Sequence, residues 1–196
     1  MMRPLFRLRS GVELILASES PRRRELLSSL GIPFRSCSPR AVEVAPEQGE
    51  EPSVYARRMA RLKGVSLADA DGIVIAADTV VSLDGTIFGK PKDEADAVAM
   101  LERLNGRRHE VCTAVYIRLP EAVIFHEITN VVFGRFSRDL LTRYVESGEP
   151  LDKAGAYAIQ GRGAALVERI AGSHSNVIGL PLEQLVRELL RAEILL

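Results

Sequence analysis

Two places in this chain put charge where an apolar or oppositely charged residue is the ordinary choice. In the run Ile73-Val74-Ile75-Ala76-Ala77-Asp78-Thr79-Val80-Val81 a carboxylate interrupts apolar residues of central-strand character. Burying a carboxylate is costly unless it opens on a cleft, meets a cation or binds a metal. Asp78 is therefore a candidate general base or metal ligand, and an acid satisfied by amides or an ion pair is the other reading open at this point. The second place is Ser18-Glu19-Ser20-Pro21-Arg22-Arg23-Arg24, which opens a helix. Unpaired N–H groups and the helix dipole favour an anion there, so arginines oppose the dipole by about 0.3–1 kcal/mol unless an anion compensates. Planar guanidinium groups suit phosphate. A plain capped helix with a solvated basic turn is the alternative.

Other segments offer weaker signals. Lys90, in Gly89-Lys90-Pro91-Lys92-Asp93, follows the hairpin that Asp78 begins and is placed to return a point charge to the same cleft. Asp152-Lys153-Ala154-Gly155-Ala156-Tyr157-Ala158-Ile159-Gln160-Gly161 combines charge, glycine and an amide in a loop, where binding residues concentrate. There is no GxxxxGK[ST] phosphate loop, and Gly161-Arg162-Gly163-Ala164-Ala165-Leu166 lacks the third glycine of a dinucleotide loop. His109, His126 and His174 are scattered without HExxH spacing, which leaves oxygen ligands and Mg²⁺ or Mn²⁺ as the metal chemistry available.

The elements that must position these groups follow from periodicity and caps. Residues 12–17 read as a buried strand and 21–30 as a helix, with Ser20 as N-cap, Pro21 at its first position and Gly31 past its end. A loop over 45–52 leads to a helix over 53–63 with Val54, Met59 and Leu62 as candidate inward positions. A central strand over 72–83 ends in the tight turn Asp84-Gly85. The helix over 93–105 turns Ala97, Met100, Leu101 and Leu104 inward and stops at Gly106. Residues 110–118 and 122–133 form an antiparallel pair, Ser137 caps a helix to Glu146, a glycine-punctuated loop covers 155–163, and a strand over 165–170 precedes a closing helix over 182–195. Strands alternating with helices around an embedded hairpin give the α/β class, with a mixed sheet flanked by helices.

The bulk numbers bound the rest. With 196 residues, 46% apolar and 27% charged, the chain fits one domain, 1–196, or two closely packed lobes around a cleft, with residues 1–11 as a flexible extension. Lysine plus arginine equals aspartate plus glutamate at 26 each, so no global field favours nucleic acid or an anionic membrane, and any anion site is local. Cys37 and Cys112 form no CxxC pattern, which makes reduced thiols and the cytoplasm the default. The basic start is followed by too short an apolar run for an export signal, and no stretch is long enough to span a bilayer.

Taken together, Leu16-Ala17-Ser18-Glu19-Ser20-Pro21-Arg22-Arg23, Ala77-Asp78-Thr79-Val80-Val81, Gly89-Lys90-Pro91 and Asp152 through Gly161, followed by Gly179-Leu180-Pro181-Leu182, resemble the Maf family of nucleotide pyrophosphatases over nearly the whole chain. The resemblance implies a twisted mixed sheet forming two lobes around a central cleft, of the Maf/ITPase-like kind. It also implies a cytoplasmic homodimeric enzyme that converts a nucleoside triphosphate and water to the monophosphate and pyrophosphate with a divalent cation. Carried over residue by residue, Asp78 is the proton acceptor, Arg22, Thr79 and Gln160 tune substrate choice, and Ser20, Arg23, Lys63 and Lys90 line the phosphates. Glu43 would join Asp78 at the metal, although Val42 stands where the family often has a second acid, and His174 replaces a usual tyrosine. Within the family, Lys153 with Ala156-Tyr157 and Ile159-Gln160-Gly161 resembles the branch acting on dTTP and UTP, and Gln160 is a physical discriminator because an amide pairs with both donor and acceptor on a pyrimidine edge. A 7-methyl-GTP pyrophosphatase is the runner-up, and a nucleotide-binding inhibitor of cell division is the rival from another class. The Nudix type is excluded because Arg24-Glu25-Leu26-Leu27-Ser28-Ser29 lacks its paired glutamates.

Overall fold

The computed structural model describes residues 5–196. β1 (Leu14–Ala17) and α1 (Pro21–Ser28) lead to the edge strand β2 (Arg35–Cys37), and α2 (Pro52–Val65) crosses to β3 (Ile73–Leu83). β4 (Thr86–Phe88) folds back on β3, and α3 (Glu94–Leu104) leads to β5 (Arg108–Ile117) and β6 (Val123–Phe133). After α4 (Arg138–Glu146) come 3₁₀ turns at Ala154–Ala156 and Gly161–Leu166, then β7 (Val167–Ala171), α5 (His174–Ile178) and α6 (Leu182–Arg191). The seven strands form an open sheet in the order β2-β1-β3-β5-β6-β7, with β4 attached to β3. β2 and β3 run parallel to β1, whereas β4, β5, β6 and β7 pair antiparallel. The fold is thus the mixed sheet flanked by helices expected from the alternation of periods. Among the described residues no helix is long and apolar enough to cross a membrane.

β3 organises the interior because it is long enough to serve several apolar clusters at once. On one face Ile75 and Ala77 join a cluster with Leu14, Leu16, Leu27 and Leu185, while Val81 and Leu83 join another with Leu101, Phe133 and Leu141. Thr79 falls between the two. On the other face Val74 and Ala76 pack with Ile15, and Val80 packs with Ala56 and Ala60. Asp78 falls between those. Successive strand side chains alternate faces, so the two polar residues sit where the clusters on their respective faces meet. The edge of β3 is open at the same level. Its pairing with β1 ends at Ala76, opposite Ala17, and its pairing with β4 begins only at Val81, opposite Phe88.

α2 packs across β3 and β5 through Ala56, Met59, Ala60 and Gly64. A Cβ at Gly64 would stand 2.2 Å from the Tyr116 ring, so the helix lies on that ring at a point where it has no side chain. This face leaves out Val54, which is 53% exposed rather than inward as expected, because the 56, 59, 60, 63 stripe runs past it. The closing helix also ends earlier than its periodicity suggests. Ile194 N–H donates to Leu189 C=O (2.9 Å), and residues 194–196 then pair with 7–9 through Arg9 N–H to Ile194 C=O (2.9 Å) and Leu196 N–H to Arg7 C=O (2.8 Å). Residues 7–9 are therefore tied to the C-terminus and are not part of a free extension. Residues 1–4 of that expected segment lie outside the described residues.

Candidate active site

A cleft of about 470 Å³ opens at the unpaired stretch of β3, a size suited to a small ligand such as a nucleotide. Its walls are the first turn of α1, the segment carrying Glu43, the Lys63 end of α2, the loop after β4 and the loop 152–160. Ser20, Arg22, Arg23, Glu43, Lys63, Asp78, Thr79, Lys90 and Gln160 all line it. The elements that bring them together are distant in sequence, and the open edge of β3 is the feature they share.

On the acid side, the Lys63 ammonium lies between two carboxylates, 2.6 Å from Asp78 Oδ1 and 2.7 Å from Glu43 Oε1. Lys63 and Asp78 have side chains only 11% and 13% exposed. Burial pushes the Asp78 carboxyl above its ordinary value, against the opposing pull of Lys63 and Arg23. Glu43 is more open, and its hydrogen bond from Lys63 holds it below the usual carboxylate range. Among the described residues no group of three or more His, Cys, Asp or Glu gathers for a metal. Glu43 and Asp78 each keep an oxygen with no hydrogen-bond partner among those residues. One or two carboxylates completed by substrate phosphates are the set that Mg²⁺ commonly takes, so these residues fit such a cation.

On the basic side, α1 begins as its sequence dictates. The Ser20 hydroxyl accepts from Arg23 N–H (3.4 Å), Pro21 occupies the first turn, and no acidic residue is present in that turn. Arg23 turns inward: its Nε donates to Gly179 C=O (2.8 Å) and an NH2 hydrogen goes to Thr79 Oγ1 (3.0 Å). Burial pushes this guanidinium below its ordinary value, with Asp78 opposing. Gly179 has φ 127°, a conformation that side-chain-bearing residues rarely adopt. Arg22 instead points across the cleft, 3.8 Å from Asp152 Oδ2. Lys90 is exposed at the rim.

The loop carrying Gln160 is held from below by Glu149. Its Oε1 accepts from the Tyr144 hydroxyl (3.0 Å) and Gly163 N–H (2.9 Å), and its Oε2 from Arg162 N–H (2.9 Å). Burial works against this charge, but the two backbone N–H groups and the hydroxyl outweigh it and keep the carboxyl below its ordinary value. The chain passes this point with φ 75° at Gly161, where a Cβ would come within 2.8 Å of Glu149 Oε2. Lys153 Nζ donates to Glu149 C=O (2.5 Å) and pairs with Asp152. Gln160 has no side-chain hydrogen bond to a described residue and faces the cleft.

Sequence reasoning did not single out Glu149, Thr113 or Asn176, which act behind the cleft wall. A glutamate near a glycine is an ordinary surface pattern, and no spacing rule signals that it caps a loop. The histidines lie outside the lining. His109 is buried, with Nε2 2.8 Å from the Tyr157 hydroxyl, and burial lowers it to about 4, so it is neutral at pH 7.

The family model described as Maf-like protein matches residues 13–192. A dTTP/UTP pyrophosphatase of Oleidesulfovibrio alaskensis is 50% identical over 184 residues, covering 91% of this chain and 84% of the relative. One of Symbiobacterium thermophilum is 48% identical over 180 residues, covering 90% and 92%, and one of Aquifex aeolicus is 45% identical over 185 residues, covering 90% and 93%. Among solved structures, the Ham1 protein of Staphylococcus aureus overlaps with a TM-score of 0.45 at 15% identity, covering 62% of this chain and 71% of that one, which is too loose to carry an argument.

Proposed function

The chain belongs to the Maf-like protein family, and from that premise we propose that it is a nucleoside triphosphate pyrophosphatase that hydrolyses dTTP and UTP to the nucleoside monophosphate and pyrophosphate. The observation that carries the reading is the meeting of Asp78 with the Arg22–Arg23 turn on one nucleotide-sized cleft, although the residues are more than fifty positions apart.

In the proposed reaction water attacks the α-phosphorus in line with the α–β bridging oxygen. The new P–O bond forms as the bond to that oxygen breaks, the water proton passes to the Asp78 carboxylate, and pyrophosphate leaves. Burial raises the proton affinity of Asp78 above that of a solvated aspartate, while Lys63 and Arg23 favour the ionised form that can act as base. Arg22, Arg23, Lys90, Ser20 and the Arg22 backbone N–H at the start of α1 are set to neutralise and orient the phosphates. A divalent cation, Mg²⁺ or Mn²⁺, would be held by Asp78 and Glu43 and would supply further neutralisation of phosphate oxygens. Gln160 offers its free amide to a pyrimidine edge. The Thr79 hydroxyl is engaged within the protein, so its influence on substrate choice runs through Arg23.

The free thiols Cys37 and Cys112 support a reducing, cytoplasmic setting, and the family resemblance supports a homodimer, which light scattering of the purified protein measures. The central test is incubation with dTTP, UTP, CTP and 7-methyl-GTP in Mg²⁺, with and without chelator, reading nucleotide products and pyrophosphate. The expected result is metal-dependent release of pyrophosphate fastest from dTTP and UTP. Orthophosphate in its place, or nucleotide retained unhydrolysed, refutes the reaction, and 7-methyl-GTP leading the series refutes the substrate.

A further inference from the structure

A buried polar chain behind Arg23 has no part in the mechanism above. Asn176 and Thr113 are both 0% exposed, and buried polar groups are tolerated only when their hydrogen bonds are made. Asn176 makes them: Oδ1 accepts from Thr113 N–H (3.1 Å), and Nδ2 donates to Val111 C=O (3.0 Å) and to Thr129 Oγ1 (2.8 Å). Its backbone C=O accepts the Thr113 hydroxyl (2.9 Å).

The direction of the remaining bonds follows from counting donors. Thr113 has one O–H, and a carbonyl can only accept, so that hydrogen goes to Asn176. The 2.9 Å contact between Thr79 and Thr113 is then Thr79 donating, and the Thr79 oxygen is left to accept from Arg23. A second line reaches the same guanidinium. α5, which contains Asn176, ends where Gly179 N–H donates to Ser175 C=O (3.1 Å), and Gly179 C=O accepts from Arg23 Nε. One anchor of the guanidinium is thus placed by way of Asn176, and the other by α5, the short helix that the Asn176 hydrogen bonds hold against β5. With those hydrogens committed, the remaining N–H groups of Arg23 have a set direction for an anion in the cleft.

We propose that Asn176 and Thr113 are positioning residues that aim Arg23 at the triphosphate. The proposal rests on reading the cleft as a triphosphate site. Its test compares wild type, Thr113→Val, Thr113→Ser, Arg23→Ala and the Arg23→Ala/Thr113→Val double variant in steady-state hydrolysis of dTTP with Mg²⁺. Thr113→Val is expected to raise KM on the order of 10-fold with kcat changed less than about 3-fold, and Thr113→Ser, which keeps the hydroxyl, to stay within about 2-fold. In the Arg23→Ala background the valine should add less than about 2-fold, because the group it acts through is gone. An equal penalty in both backgrounds marks a merely structural role and overturns the proposal, as does a wild-type KM in folded Thr113→Val. Should the valine variant fail to fold, Thr113→Cys carries the same comparison. A wild-type protein that releases no pyrophosphate refutes the pyrophosphatase reading instead. The series is then measured as dTTP affinity by calorimetry, where weakening confined to proteins with Arg23 supports the positioning role and weakening independent of Arg23 overturns it.

Discussion

Replacing Glu149 with Gln removes a charge without changing shape, and its cost can be worked from the hydrogen bonds. The carboxylate accepts from the Tyr144 hydroxyl and Gly163 N–H on one oxygen and from Arg162 N–H on the other. Glutamine keeps one oxygen, so its NH₂ must face either Gly163 N–H or the exposed Arg162 N–H; the second choice leaves a donor that water can reach, and losing that charge-assisted bond costs about 1 kcal/mol. For a protein of this size that is a fall in Tm of roughly 2–4 °C at pH 7. The pH dependence has a defined sign. The folded protein holds Glu149 below its ordinary value, so its stabilisation is fully present above the unfolded value of roughly 4.3 and is lost as pH falls through the folded value. The Tm gap between wild type and Glu149→Gln should therefore hold from neutral pH to about 5 and narrow at lower pH. Calorimetric melts of both proteins across pH 3–7 measure it. A gap that is absent at pH 7, or that stays constant through acid pH, refutes the account of the loop as hung on an ionised carboxylate. Because Gln160 belongs to that loop, KM for dTTP should rise in the same variant.

Other substitutions address the cleft itself. Asp78→Asn should leave the fold intact and lower turnover by roughly 10²-fold or more; near-normal pyrophosphate release from a folded variant removes Asp78 as the base. Gly179→Ala forces a side chain into φ 127° and should cost roughly 1–3 kcal/mol. It should also raise KM by shifting the carbonyl that receives Arg23, and an unchanged melt shows that the strain is absent. Ser20→Ala removes an N-cap worth about 1 kcal/mol, read as a fall in Tm of roughly 2–4 °C together with a raised KM.

The parts of this fold that were legible in sequence are those with long periods and explicit ends. The amphipathic helix from Glu94 to Leu104 was readable because its apolar stripe runs through three turns, and the strands ending at Ile117 and Phe133 because each is ten or more residues long and rich in β-branched and apolar side chains. β2 and α5 were not, since three to five residues hold no measurable period, and β4 was legible only as the return of the hairpin turned at Asp84-Gly85. The cleft residues stood out for a related reason: Asp78 in an apolar strand and Arg22–Arg23 at a helix start each violate a local preference. Thr113 and Asn176 violate nothing. A threonine is an ordinary strand residue, and an asparagine in a short turn is ordinary too, so their coupling to Arg23 is visible only once β3, β5 and α5 are brought into contact. Residues 7–9 carry no such signal, because their pairing partner is at the other end of the chain.

The bare spot on α2 at Gly64 bears on what fixes the geometry of the acid side of the cleft. Lys63 reaches Asp78 from a helix whose height above the sheet is set by backbone resting on the Tyr116 ring. Contact between close-packed surfaces does not weaken when a proton is gained, a phosphate departs or the ionic strength changes. The distance between the backbones that carry the lysine and the aspartate is thereby set by packing rather than by the two charges.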